Sequence, residues 1–148
     1  EELLTRLLSH PYFELRGPRS TGKEAFNLAW LDSMLLGLEN ANPIDVQATL
    51  TELTAATIAS SINTAEIYIS EVFVCGGGAH NTDLMRKLYR KLDPVPLDTT
   101  RALGLDPDWV EAVTFAWLAP RAMAGLAGNA PAVTGAGGFW VLGGIYQA

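Results

Sequence analysis

The run Val72-Phe73-Val74-Cys75 stops on three consecutive glycines, Gly76 to Gly78, and Asn81-Thr82-Asp83 then opens a pattern of Leu84, Met85, Leu88 and Leu92 that ends at Pro94. β-Branched and aromatic residues favour a strand, glycine permits a tight turn, and a polar residue ahead of apolar positions at helical spacing starts a helix. This order, strand then glycine turn then helix, points to a fold in which strands alternate with helices. Val95 to Leu97 predicts a second short strand after that helix, and Ile67 to Ile69 is a further apolar run ahead of the first.

Helical periodicity marks the rest of the chain. Leu3, Leu4, Leu7 and Leu8 read as a helix already under way at Glu1, with no capping residue before it, and so predict a piece of a longer protein. Ser9 to Ser20, with Pro11 and Gly17-Pro18, is a connector. Thr21 and Glu24 have the spacing of a capping box, and Phe26, Trp30, Leu31 and Met34 predict a helix from about Gly22 to Leu36. Asn42 and Pro43 open a long helix through Val46, Leu50, Leu53, Ile58 and Ile62 to about Asn63, whose Ala55, Ala56 and Ala59 allow another element to approach closely. Asp106 and Pro107 start a further helix through Val110, Val113, Trp117 and Leu118 to about Ala124. The tail from Gly125 to Ala148 is turn-rich, with one apolar run from Phe139 to Leu142. The expectation is a single, helix-rich α/β domain over residues 1–148.

Composition narrows the function classes. With 49% hydrophobic and 18% charged residues the chain can pack a core and is not disordered. A formal charge of −6 disfavours nucleic acid as a partner, since phosphate-backbone binding needs a basic face. The single cysteine, Cys75, can form no internal disulfide and no thiolate cage, which fits a reducing cytoplasm. No apolar run approaches the roughly 20 residues of a membrane span, and the first residues lack the basic start of a secretion signal. A cytoplasmic protein without membrane contact is therefore expected.

Three constellations could carry chemistry. Gly17 to Lys23 reads G-P-R-S-T-G-K, but Glu24 stands where a phosphate-binding loop needs a hydroxyl and no strand precedes it, so the capping box explains these residues better. Gly76, Gly77, Gly78, Ala79 and Asn81 lie between a strand and a helix, where bare backbone and helix N–H groups suit a flat, polar or anionic ligand. The dinucleotide pattern G-x-G-x-x-G is not met, because Asn81 occupies its last position, so a simple turn and a nucleotide site both remain open. Glu111 lies on a helix whose apolar residues (Val110, Val113, Phe115, Trp117, Leu118) predict burial on much of its circumference. A carboxylate there either complements the helix dipole or takes a partner, a protein cation or ligand hydroxyls. Cys75 is expected to be a small buried hydrophobe, Arg86, Lys87, Arg90 and Lys91 a solvated strip, and His10 a bystander. His80 stands beside the glycines without a second ligand at metal spacing, and no metal site is expected.

Five segments in collinear order carry a more specific signal: S-T-G-K-E-A-F-N-x-x-W-L (Ser20 to Leu31), D-V-Q-A-T-L-T-E-L-T-A (Asp45 to Ala55), V-C-G-G-G-A-H-N (Val74 to Asn81), D-W-V-E-A-V-T-F-A-W-L-A (Asp108 to Ala119) and G-N-x-P-x-V-T-G-A (Gly128 to Ala136). Together they resemble the C-terminal part of the anhydro-N-acetylmuramic acid kinases, from about Tyr12 to the end. The resemblance implies the helix-rich C-terminal lobe of a ribonuclease H-like, actin-like ATPase fold, in which two α/β lobes close over ATP. It implies a reaction in which 1,6-anhydro-N-acetylmuramic acid, ATP and water give N-acetylmuramic acid 6-phosphate and ADP during peptidoglycan recycling, with Mg2+ bound mainly through the other lobe. Carried over residue by residue, it matches Gly76, Gly77, Gly78, Ala79 and Asn81 to the adenosine-contacting loop and Glu111 to a glutamate facing the sugar. It also implies pairing as a homodimer.

The departures are informative. The family's early G-T-S-x-D-G phosphate loop and the D-T-G-P-x-N segment with the catalytic aspartate have no counterpart here, so no catalytic residue is assigned to this chain. Lys23 replaces the arginine of S-T-G-R-E and cannot reproduce its bidentate contact. The chain alone is thus expected to be inactive. The competing readings are a stand-alone nucleotide-binding regulatory module without a catalytic lobe, and a related hexose kinase with another substrate.

Overall fold

A computed structural model describes residues 1–146. Six α-helices and two strands follow in the order α1 (Glu2–Leu8), α2 (Leu28–Met34), α3 (Pro43–Asn63), β1 (Val72–Val74), α4 (Thr82–Leu92), β2 (Leu97–Thr99), α5 (Val110–Met123) and α6 (Pro131–Thr134). The strands pair in parallel, Val72 opposite Leu97 and Val74 opposite Thr99, with α4 as the crossover. This is a helix-rich α/β arrangement around a small parallel sheet. β2 starts later than the predicted Val95–Leu97, and Ile67 to Ile69 forms no strand. Among the described residues no helix is long and apolar enough to cross a membrane.

Local capping chemistry places the helix starts. The Asn42 side chain accepts from the Ile44 N–H at 2.9 Å, and Pro43 occupies the first turn, where no backbone donor is needed. Asn81 caps α4 by accepting from the N–H groups of Asp83 (3.1 Å) and Leu84 (3.0 Å). The expected capping box at Thr21 and Glu24 does not start α2. Gly22 to Phe26 instead forms a turn in which the Ala25 and Phe26 N–H groups donate to the Gly22 carbonyl, and Asn27 caps the helix through the Trp30 N–H at 3.0 Å. An aromatic cluster accounts for the later start. Phe26 stacks on Phe13 at 5.3 Å and meets Trp30 edge-on at 5.0 Å, which anchors the chain before the helix begins. His10 is no bystander: its ring joins this cluster, 4.8 Å from Phe26, and its Nδ1 accepts from the Tyr12 N–H.

Two apolar clusters meet on different faces of α3. Leu3 and Leu7 of α1 pack with Leu53, flanked by Trp30, Leu31 and Met34. Ala55 packs with Leu84 and Leu88 of α4 beneath Val74 and Leu97 of the sheet. Ala55 and Ala59 are both buried, so the small residues do admit the neighbouring helix. The core does not extend along the whole chain. α5 buries none of its side chains, and Trp109, Phe115 and Trp117 are 64%, 63% and 52% exposed.

A carboxylate reinforces the α3–α4 contact. Glu52 accepts from Lys87 Nζ at 2.7 Å and lies 2.6 Å from Lys91 Nζ, all three side chains being largely shielded from solvent. Half of the basic strip is therefore engaged in ion pairs across the helix interface rather than simply solvated. The hydrogen bond from Lys87, then that from Lys91, holds the Glu52 carboxyl below its ordinary value, against a smaller opposing effect of burial. A lowered carboxyl pKa stabilises the fold above the unfolded-state value and ceases to do so as pH falls through the folded-state value. Glu52→Gln is expected to cost about 1 kcal/mol near neutral pH. In urea titrations repeated at decreasing pH, the gap between this variant and the parent should close in the acid range. Ala55→Leu should cost about 1–3 kcal/mol at every pH by overpacking the same interface.

Candidate functional site

The glycine turn leaves the sheet at Gly76, whose φ of 71° and ψ of −172° lie in a region that only glycine occupies without strain. Its N–H donates to the Pro107 carbonyl at 2.9 Å. A 3-10 turn over Gly77–His80 follows, closed by the Ala79 N–H on the Gly76 carbonyl (3.0 Å) and the Asn81 N–H on that of Gly78 (3.1 Å). A Cβ built on Gly76 or Gly77 would meet no protein atom within 4 Å, whereas one on Gly78 would touch Leu84 at 3.6 Å. The first two glycines thus present bare backbone to open space, and the third rests on the helix behind. The Asn81 side-chain oxygen is committed to capping α4, which fixes the end of the turn.

The start of α5 lies against this turn. Asp106 accepts from the Asp108 N–H at 3.1 Å and binds Arg101 Nη2 at 2.5 Å, and Pro107 is buried. His80 Nε2 lies 2.8 Å from Asp108 Oδ1. The glycine turn and the approach to Glu111 are therefore joined twice, through Gly76 with Pro107 and through His80 with Asp108. Sequence inspection missed the second contact: its members are 28 residues apart, and no local spacing signals such a pair.

Two expectations about side-chain burial are corrected. Glu111 is exposed in the first turn of α5, where Val113, Phe115 and Trp117 are uncovered as well and only Val110 and Leu118 are half-buried. Burial therefore does not force a partner on its carboxylate, which is free to meet one from solvent. Cys75 is exposed too, since β1 ends at Val74 and the chain turns outward at the glycines.

Gly17 to Lys23 has no phosphate-loop geometry. The segment follows a 3-10 turn rather than a strand, and it serves as a docking loop. The Arg19 N–H donates to the Val133 carbonyl at 3.0 Å, and the Arg19 guanidinium reaches Ser61 at 3.2 Å and covers the Tyr12 ring. An open groove of about 760 Å³ beside this loop, lined by Arg16, Arg19, Thr57 and Ser61 among others, shares no residue with the glycine turn.

The free backbone at Gly76 and Gly77 fits the flat face of a purine, which approaches where a side chain would intrude. Among the described residues no three His, Cys, Asp or Glu side chains converge on a cation position. The glycine geometry makes a pair of contrasting predictions. Gly76→Ala should cost about 1–3 kcal/mol through backbone strain, whereas Gly77→Ala should leave stability within about 0.5 kcal/mol. Urea unfolding of the two variants side by side distinguishes them.

A family model for anhydro-N-acetylmuramic acid kinase matches residues 1–148. An anhydro-N-acetylmuramic acid kinase from Pseudomonas syringae pv. tomato is 52% identical over 147 residues, 99% of this chain and 40% of the relative. Those from Shewanella sp. MR-4 (50% identical over 148 residues, all of this chain) and Thiobacillus denitrificans (52% over 147 residues, 99% of this chain) likewise match over 40% of their own length. The chain spans about two fifths of the length of these relatives.

Proposed function

The chain belongs to the anhydro-N-acetylmuramic acid kinase family, and from that membership we propose that the intact protein phosphorylates 1,6-anhydro-N-acetylmuramic acid. In this reaction water adds at the anomeric carbon, the bond from that carbon to O6 breaks, and O6 takes the γ-phosphoryl group of ATP. The products are N-acetylmuramic acid 6-phosphate and ADP. The proton lost by water passes to an aspartate that the family carries in its other lobe, outside this chain. Such a reaction serves peptidoglycan recycling in the cytoplasm, and the intact protein acts as a homodimer of two-lobed, actin-like subunits.

This chain supplies the wall on which the two substrates lie. Gly76 and Gly77 support the adenine on bare backbone, and Gly78, Ala79 and Asn81 shape the return into α4. The open backbone at those first two glycines is the observation that carries the nucleotide reading. Glu111, exposed at the start of α5, accepts hydrogen bonds from sugar groups. None of the salt bridges among the described residues involves it, which leaves the carboxylate open to a ligand hydroxyl.

The direct test is ATP-dependent phosphorylation of the anhydro sugar by the intact protein, with ordinary hexoses as controls. ATP binding without phosphorylation of any of these sugars would make the chain part of a nucleotide-binding regulatory module, and preference for a plain hexose would make it a different sugar kinase. Glu111→Gln should lower kcat/KM for the sugar about ten- to a hundredfold, the value of a hydrogen bond to a charged group. The melting temperature should stay unchanged, because α5 contributes nothing to the core. Gly77→Ala should raise the KM for ATP about tenfold while the sugar KM holds. Wild-type kinetics in both variants would remove these residues from the site.

A further inference from the structure

The near end of α5, where Glu111 sits, is held by few contacts. The helix buries no side chain, and the element it packs against most is the 3-10 turn Pro107–Trp109 that starts it. That turn in turn meets the glycine turn. The two are joined by the Gly76 N–H on the Pro107 carbonyl (2.9 Å) and by His80 Nε2 on Asp108 Oδ1 (2.8 Å). The far end of α5 is tethered separately, through the tail, where Arg121 donates to the Ala127 carbonyl and Val133 accepts from the Arg19 N–H. The first turn of α5 thus meets the glycines at this junction, while buried Pro107 and the Arg101–Asp106 ion pair brace the same turn from outside it.

His80 and Asp108 are placed to act on both sides of it. His80 closes the 3-10 turn that begins at Gly77, and Asp108 stands three residues before Glu111. Both side chains are more than half exposed, so the pair adds little to global stability. Its effect is directional: it fixes one short turn against another where no buried side chain of α5 does so. Loss of the contact would leave Gly76–Pro107 as the one hydrogen bond between the two turns among the described residues.

We propose that His80 and Asp108 form a positioning clamp that holds the nucleotide-supporting turn and the sugar-facing helix at one mutual angle, and so couples the binding of the two substrates. This rests on the functional reading above. Neither residue is a catalytic group. Each acts through the segment it belongs to, His80 on the placement of Glu111 and Asp108 on the placement of the glycines.

The test is steady-state kinetics of the intact enzyme with ATP and the anhydro sugar varied in turn, for His80→Ala, Asp108→Ala, the double variant and His80→Gln. Each single alanine variant should raise both KM values about three- to fivefold, the range open to an exposed ion pair. The double variant should be no worse than either single one. His80→Gln, whose amide nitrogen can occupy the position of Nε2, should restore most of the loss. If His80→Ala raises only the ATP KM while Asp108→Ala is silent, His80 touches nucleotide directly and the clamp is refuted. Multiplying effects in the double variant would refute it as well.

Amide exchange on the intact protein without substrates separates this outcome from failure of the functional reading. His80→Ala should speed exchange in the first turn of α5, and Asp108→Ala should speed it across Gly77–His80. Unchanged exchange in both variants overturns the clamp whatever sugar the enzyme phosphorylates, whereas coupled exchange with no activity on the anhydro sugar overturns only the reading of function.

Discussion

The closeness of α3 and α4 is the constraint on which the rest of the structure depends. It exists because Ala55 presents almost no bulk, so that Leu84 and Leu88 settle against it under Val74 and Leu97. Glu52, three residues before it on α3, then meets Lys87 and Lys91 across the interface. Apolar contact brings the helices together, and the carboxylate between two ammonium groups fixes their relative rotation. Asn81 caps the start of α4 and is also the last residue of the glycine turn. The position of that turn is thus inherited from a packing contact one helix away.

The core and the two candidate ligand-facing segments are divided along the chain. Apart from Pro107, every buried apolar side chain among the described residues lies on α1, α3 or α4. Glu111 lies instead on a helix that the core does not need, with aromatic neighbours open to solvent. A residue in that position can present its carboxylate to a ligand without the desolvation cost that burial would impose. The glycines occupy an intermediate place. Gly76 is required by its backbone angles, Gly78 leans on Leu84, and Gly77 is bound by neither condition, which leaves it open to a ligand.

Local chemistry was the legible part of this fold. Asn42 with Pro43 and Asn81 before α4 each act within three residues of themselves and do in the structure what their identity predicts, whereas Asp106 with Pro107 starts a 3-10 turn that precedes α5 at Val110. The one failed cap is instructive. Thr21 and Glu24 have the right spacing, yet Phe26 is drawn into an aromatic cluster with Phe13 and Trp30, partners that no short window contains, and Asn27 takes over. The burial expected for Cys75 and Glu111 failed for a related reason. Apolar periodicity shows which faces could be covered and not whether a neighbour covers them, and the described residues cover α5 only in part, leaving Val113, Phe115 and Trp117 exposed.

The amino-acid sequence by itself determined the order of strand, glycine turn and helix, most helix starts, the small residues that admit α4, and the family to which the chain belongs. All of these depend on residue identity at fixed, short spacing or on the order of motifs along the chain. Only the tertiary structure decided that Glu52 binds two lysines of another helix, that His80 reaches Asp108, and that α5 stands outside the core. Those outcomes depend on distances between segments remote in the chain, and such distances are set by how the whole set of elements packs.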